Sequence, residues 1–447
     1  MGLFGTSGIR GDAEKLFTNQ FCFDIGRTFA QFLEQHNTLG PIAIGMDSRP
    51  SSPRIRDGLF KGLATGGIEL FDEGICPIPA INWILKAAPV SASLMITGSH
   101  INTKLNGVKF YAFEEEITKE HEKEIENSYR TLKKQRQNIP TEEPEVHQES
   151  RAQELYIEML AGLITENLPS WKVAVDCANG AQSVVIPSLL TRLGLTVVRV
   201  NCEPQQELIA RDTDTDDKAV IEKLKETVVR EKADFGIAYD GDGDRVVFID
   251  EKGNFIQGEY SCSLVAKYSD TSVVVTPISS SQVVDTIGKK VIRTKVGSPY
   301  VVAGMKESGA TFGFEPNGGA ISSEIMYTRD GGSMAIKILR LFAQFEGHFS
   351  ELIGQLPKFH MKRTKVDCPS ELNQKIISAA KQEFKGEKTE ELDGLKIWID
   401  NATWILFRPS ANAPEFRVFA ESTSKEKAEE LKEQGISFVQ NMIKKLE

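Results

Sequence analysis

One pattern recurs three times in this chain and limits its fold more than any other feature. A short apolar strand runs into a small polar loop, then a helix, then a second strand. Pro41 to Asp47 leads into Ser48-Arg49-Pro50-Ser51-Ser52, a helix through Leu63 and a strand near Ile68 to Phe71. Lys172 to Asp176 leads into Cys177-Ala178-Asn179-Gly180, a helix through Leu193 and a strand from Thr196 to Val200. Ser272 to Pro277 leads into Ile278-Ser279-Ser280-Ser281, a shorter helix and a strand from Val291 to Thr294. Each unit reads as β/α with a mostly parallel sheet, the architecture in which ligands sit at the C-terminal ends of strands.

After Leu356 the pattern changes. Met361 to Val366, Gly394 to Ile399, Trp404 to Phe407 and Arg417 to Glu421 read as strands, with a helix after Pro369. A final amphipathic helix from about Ser424 carries an apolar stripe, Ala428, Leu431, Val439 and Ile443, behind a capping box at Thr423 and Glu426. The expected fold is α/β: three related α/β domains with mixed, mostly parallel sheets plus a smaller C-terminal α+β domain, arranged around a central cleft. The expected domains are 1–150, 151–256, 257–360 and 361–447, with Gln135 to Ser150, polar and carrying two prolines, as a linker.

A length of 447 residues is enough for several cores. A net charge of −10 argues against a nucleic-acid or anionic-membrane partner, which the chain would repel at long range. No apolar run approaches the roughly 20 residues of a membrane helix, and no leader pattern opens the chain. Six scattered cysteines, none in a C-x-x-C pair, suggest neither a zinc site nor a disulfide framework, and a reducing, cytoplasmic setting is expected.

Chemistry concentrates in four segments. Asp240-Gly241-Asp242-Gly243-Asp244-Arg245 places three carboxylates at alternating positions, able to converge on one hard divalent cation. A calcium EF-hand is excluded because Arg245 replaces the required glycine and the flanks read as strands. Thr97-Gly98-Ser99-His100, followed by Asn106-Gly107-Val108-Lys109, comes directly after the apolar strand Ala92 to Ile96. Thr97 and Ile101 stand where a hydrolase elbow needs glycines, so acyl transfer is disfavoured and phosphoryl transfer favoured. Arg408-Pro409-Ser410-Ala411-Asn412-Ala413-Pro414, with Arg417 following, offers the donors that hold a phosphate dianion. Phe314-Glu315-Pro316-Asn317-Gly318-Gly319 offers a carboxylate and an amide suited to sugar hydroxyls. Read singly, each of the last three is also compatible with an ordinary turn.

In this order, and with the opening Phe4-Gly5-Thr6-Ser7-Gly8-Ile9-Arg10-Gly11, the segments resemble the α-D-phosphohexomutase family along nearly the whole chain. The sugar and phosphate loops are most similar to archaeal-type phosphomannomutase/phosphoglucomutase sequences. The resemblance implies a phosphoserine at Ser99, which with Asp240, Asp242 and Asp244 would hold Mg²⁺. It implies catalytic parts for Arg10, His100, Lys109 and Arg245. Gly297, Ser298, Glu315 and Asn317 would bind the sugar, and Arg408, Ser410, Asn412 and Arg417 the non-reacting phosphate. The implied reaction interconverts hexose 6-phosphate and hexose 1-phosphate, of mannose or glucose, through a hexose 1,6-bisphosphate. The expected partner is a small phosphosugar, and the expected state a monomer or homodimer.

Three loops depart from the family pattern. Phe314, Asn317 and Gly319 replace its Gly, Ser and His; Ala411, Asn412 and Ala413 interrupt its phosphate loop; and Ile101-Asn102-Thr103-Lys104 alters the turn after His100. The alternatives are a phosphoglucosamine mutase and, further off, a phosphosugar phosphatase or a non-catalytic phosphosugar sensor.

Overall fold

The computed structural model describes residues 2–446 except Thr6, Arg136, 214–217 and 411–412. Its contacts divide the chain into two compact units, Met1–Gly258 with Asn317–Leu352, and Glu259–Pro316 with Ile353–Glu447.

The first unit contains the first two repeats. In the first sheet the strands run Ile9–Asp12, Leu105–Ala112, Ala92–Ile96, Ile42–Met46, Leu70–Ile75 and His147–Gln148, with Glu115–Glu116 paired to Leu105–Ala112. Ala92–Ile96, Ile42–Met46 and Leu70–Ile75 are parallel, whereas Leu105–Ala112 is antiparallel to both its neighbours. Ile42–Met46 and Ala92–Ile96 are buried throughout, matching their unbroken apolar sequence, as parallel strands covered on both faces require. The second sheet runs Phe255–Ile256, Val246–Asp250, Phe235–Tyr239, Lys172–Asp176 and Thr196–Val200. Phe235–Tyr239 pairs in parallel with Lys172–Asp176 and antiparallel with Val246–Asp250, so the acidic segment 240–245 is a hairpin loop between strands. The hairpin Ala320–Ser322 and Met326–Arg329 and the helix Gly331–Ala343 also belong to this unit.

In the second unit Val273–Pro277 lies between Lys290–Thr294 and Phe312–Phe314, parallel to both. A separate antiparallel sheet runs His360–Asp367, Glu415–Ser422, Thr403–Pro409, Leu395–Asp400 and Lys388–Glu390. Its core gathers Ile376, Leu395, Ile405, Phe407, Val418 and Val439. Glu421 ties the two parts of the unit together by accepting from the Gln282 backbone N–H at 2.9 Å and from Trp404 Nε1 at 2.8 Å. The chain thus has three α/β repeats and a β-rich C-terminal domain. No described helix is long and apolar enough to cross a membrane, and all six cysteines are buried.

Local structure departs from the sequence expectation where polar loops tighten. The second repeat forms a 3-10 turn, Ala181–Val184, before its helix begins at Ile186, because Pro187 favours the first turn of a helix. In the third repeat the expected helix is only a 3-10 turn, Gln282–Thr286. The strand expected near Ile68 to Phe71 runs from Leu70 to Ile75. Within the expected linker, His147–Gln148 adds to the edge of the first sheet. The last helix is capped by Ser424, not Thr423, since Ser424 Oγ accepts from the Lys427 N–H at 3.2 Å.

Helices Asn19–Gln35 and Ser52–Leu63 cross at contact distance because glycines meet there. A Cβ on Gly62 would lie 2.2 Å from the Phe23 carbonyl oxygen, and one on Gly26 would lie 2.4 Å from that of Leu59. Backbone cannot yield as a side-chain tip does. Gly62→Val is therefore expected to destabilise the first unit by about 2–3 kcal/mol, read as a lowered urea midpoint with the slope unchanged.

Candidate active site

Ser99 follows the buried strand Ala92–Ile96 and adopts a left-handed backbone with φ of 53°, uncommon for a residue with a side chain. The turn lifts its hydroxyl out of the sheet end. Ser99 Oγ donates to Asp240 Oδ2 at 3.0 Å, and His100 Nδ1 lies 3.3 Å from Ser99 Oγ. The Ser99 N–H is held by Thr97 Oγ1 at 2.7 Å, and that hydroxyl is also 3.1 Å from Asp242 Oδ2. The nucleophile loop and the acidic loop are thus joined by direct hydrogen bonds inside the first unit.

Asp240, Asp242 and Asp244 each bring one carboxylate oxygen within 4.8 Å of the others, and all three are buried. Cations surround them. Lys109 Nζ lies 3.4 Å from Asp242 and 3.7 Å from Asp244; Arg245 Nε lies 3.6 Å from both Asp240 and Asp244; Arg329 donates to Asp244 at 2.6 Å. Arg10, in the strand next to Leu105–Ala112, feels Asp242 and Asp244, and its pKa is lowered chiefly by burial. Burial and then the neighbouring Asp242 and Asp244 push the Asp240 carboxyl well above its ordinary value. For Asp242 burial acts in the same direction, but the charges of Lys109, Arg329, Arg245 and Arg10 outweigh it and hold the carboxyl below its ordinary value. The Arg245 charge, then burial and the Arg10 charge, bring the His100 pKa down to about 3, so its imidazole is neutral at physiological pH.

The donor set fits a hard divalent cation. Among the described residues Asp242 Oδ1 and Asp244 Oδ1 are buried with no hydrogen-bond donor, and for Asp244 Oδ1 only Arg245 Nε comes near, at 3.6 Å; such oxygens are costly unless a cation binds them.

Of the residues expected from the sequence, Ser99, His100, Lys109, Arg10, Arg245, Asp240, Asp242 and Asp244 thus come together in the first unit. Asn317 belongs to the same unit. Its Oδ1 accepts from the Gly319 N–H at 3.0 Å, and its carbonyl accepts from Thr213 Oγ1 at 2.7 Å.

Gly297, Ser298, Glu315, Arg408, Ser410 and Arg417 lie in the second unit. Gly297, at φ 134°, precedes the helix Ser298–Ser308, whose first residue is Ser298. Arg408 and Arg417 are directly opposed on neighbouring strands. Facing like charges are unfavourable, and an anion would relieve them. Asp393 Oδ2 accepts from Arg408 Nε at 2.7 Å and from the Val296 N–H at 3.0 Å, linking the phosphate-loop arginine to the segment before Gly297. Glu315 is buried, and the Ser410 N–H donates to the Glu415 carbonyl at 2.8 Å. Asn412 lies outside the described residues.

Sequence reasoning missed Arg329 and Asp212, and it named Thr97 only as part of the serine segment. Asp212 lies 3.3 Å from Arg245 Nη1. Arg329 ends a strand directly before Asp330, the cap of the helix Gly331–Ala343, and no local signal marks it as a partner of Asp244.

Basic side chains gathered on buried carboxylates beside a serine hydroxyl suit the movement of a phosphoryl group. The relatives of this chain narrow the class. Models of the phosphoglucomutase/phosphomannomutase alpha/beta/alpha domains I, II and III match residues 1–136, 154–253 and 257–359. A phosphoglucomutase/phosphomannomutase of Thermococcus kodakarensis is 35% identical, with 99% of each chain covered. A protein of Pyrococcus furiosus named probable phosphoglucosamine mutase is 33% identical over 99% of this chain and 98% of its own. Among solved structures, a phosphoglucomutase/phosphomannomutase family protein of Burkholderia thailandensis superposes with a TM-score of 0.82 at 21% identity, covering 98% of this chain and 97% of that one. The N-acetylphosphoglucosamine mutase of Aspergillus fumigatus, solved with GlcNAc-6P and magnesium, reaches 0.63 at 14% identity, covering 99% and 96%. The chain belongs to the phosphoglucomutase/phosphomannomutase family and is an isomerase of the phosphohexomutase type.

Asp244→Asn removes one of the three converging carboxylates. Mn²⁺ affinity, followed by the loss of the free-ion EPR signal, is expected to fall by about 100-fold.

Proposed function

We propose that this chain interconverts the 6-phosphate and 1-phosphate of mannose, glucose or both, using Ser99 as phosphoryl carrier and a hexose 1,6-bisphosphate as intermediate. The observation that carries this reading is the Ser99 hydroxyl, bonded to one of three buried aspartates and ringed by basic side chains. With Ser99 phosphorylated, its P–Oγ bond breaks as a new P–O bond forms to a sugar hydroxyl, and the other phosphate of the resulting bisphosphate later returns to Ser99. As the phosphoryl group leaves Oγ, the sugar hydroxyl gives up its proton and Oγ takes one, and His100 Nδ1, 3.3 Å from Oγ, stands beside the oxygen that is protonated. Lys109, Arg10, Arg245 and Arg329 spread positive charge over the transferring oxygens.

Asp240, Asp242 and Asp244 would hold Mg²⁺ together with the Ser99 phosphate. When bound, the ion supplies Lewis-acid charge to that phosphate. Arg408, Ser410, Asn412 and Arg417 would take the non-reacting phosphate, and Gly297, Ser298, Glu315 and Asn317 would bind the sugar. The partition into domains 1–150, 151–256, 257–360 and 361–447 belongs to this reading, as does a cytoplasmic enzyme acting alone or as a homodimer. A phosphoglucosamine mutase is the second reading, favoured by relatives of that name such as the Pyrococcus furiosus protein.

Mass spectrometry is expected to find phosphate on Ser99 after incubation with glucose 1,6-bisphosphate. Ser99→Ala should lower kcat by about 10⁴-fold or more. Comparing kcat/KM for mannose, glucose and glucosamine 1-phosphates decides the sugar, and a dominant glucosamine value selects the second reading.

A further inference from the structure

The repeats share more than topology. Each carries, at or beside the end of its first strand, a polar side chain tied directly or through an arginine to the end of a neighbouring parallel strand. In the first repeat, Asp47 follows Ile42–Met46, whose parallel neighbour Ala92–Ile96 leads into the serine loop. Asp47 Oδ2 accepts from Thr97 Oγ1 at 2.8 Å, the Gly98 N–H at 3.3 Å and Arg49 Nε at 2.9 Å. The Arg49 guanidinium then donates to four carbonyls of the serine loop: Ser99 and Ile101 at 2.8 Å, Asn102 at 3.0 Å and Leu105 at 3.1 Å. In the second repeat, Asp176 ends Lys172–Asp176, whose parallel neighbour Phe235–Tyr239 leads into the acidic loop. Arg211 pairs with Asp176 at 2.7 Å and donates to the Tyr239 carbonyl at 3.0 Å, one residue before Asp240. The third repeat, in the second unit, has Thr276 in this place. Its hydroxyl donates at 2.9 Å to the Phe314 carbonyl, one residue before Glu315.

Both arginines are buried to within 1% of their side-chain surface. Stability alone does not explain such pairs, because an apolar replacement of a buried ion pair is often as stable. A planar guanidinium fork fixes several carbonyls in one geometry, which an ammonium cannot do. The two arginines also enter from different places, Arg49 from the loop beside Asp47 and Arg211 from a distant segment, yet both meet a strand-end aspartate and a neighbouring functional loop. Ser99 requires such support, since its left-handed backbone is held at its own carbonyl by Arg49.

We infer that Arg49 and Arg211, each paired with a strand-end aspartate, are positioning residues for the reaction: Arg49 aims the Ser99 hydroxyl and Arg211 sets the metal loop. This rests on the reading of Ser99 as phosphoryl carrier and of the aspartates as the metal site.

Arg49→Lys, which keeps the charge and loses the fork, is expected to lower kcat by about 100-fold with KM within threefold. Transfer of labelled phosphate from Ser99 to the sugar should slow by the same factor, with Mn²⁺ affinity by EPR unchanged. Gly98→Ala approaches the device from the other side, since a Cβ there would lie 2.6 Å from the Arg49 guanidinium carbon. It should reproduce the same kinetic pattern and carries the test if Arg49→Lys does not fold. Arg211→Lys is expected to weaken Mn²⁺ binding by about tenfold.

Ser99→Ala is measured in parallel. If it stays active, the phosphoserine reading fails. If it is inactive while folded Arg49→Lys or Gly98→Ala keeps kcat within twofold, the positioning role is overturned. It is overturned equally if all variants lose kcat and Mn²⁺ affinity together, in step with a fall in melting temperature.

Discussion

Three carboxylates shut away from water within a few ångströms of one another cannot stand alone. Like charges at that spacing repel strongly in a medium of low polarisability. The first unit answers with Arg245 from the same loop and with Lys109, Arg329 and Arg10 from distant parts of the chain. Much of its topology follows from that demand. The antiparallel return of Leu105–Ala112 brings in Lys109, the edge strand Ile9–Asp12 brings in Arg10, and the late hairpin ending at Arg329 closes on Asp244. These four charges balance the three aspartates together with Asp212, which pairs with Arg245, and the dianionic phosphate and divalent ion that the proposed mechanism adds would balance each other.

The strand-end placement explains how repeated domains acquired different duties. A β/α unit offers one exposed turn at the C-terminal end of each strand. In one repeat that turn carries a hydroxyl, in the next a set of carboxylates, and in the third Glu315. The scaffold beneath stays the same while the tip changes, and the side chain that steadies the tip changes with it, from Asp47 and Arg49 to Thr276.

Features confined to a few neighbouring residues were legible in the sequence. Asp240, Asp242 and Asp244 meet because a hairpin loop keeps them adjacent, and the strands Lys172–Asp176 and Thr196–Val200 fall at the expected bounds because short valine-rich runs are set off by polar and turn residues. Arg329 was not legible, for it lies 85 positions from Asp244 and nothing local marks it as a partner. Helix starts were blurred by competing caps: Thr423 and Ser424 are both good N-cap residues, and only the backbone path decides between them. The two-unit division was hidden too, since it depends on where the chain returns rather than on composition.

That return has a temporal side. The chain leaves the first unit at Gly258 and re-enters it at Asn317. Tyr156, fully buried on the helix Arg151–Gly162, bonds to Asp330, which caps the helix Gly331–Ala343. A nascent chain that has cleared the ribosome through Gly258 therefore still lacks the piece that closes its own first unit. The N-terminal half has to wait, incomplete, while the next hundred or so residues are made, so synthesis order and folding order diverge in this molecule.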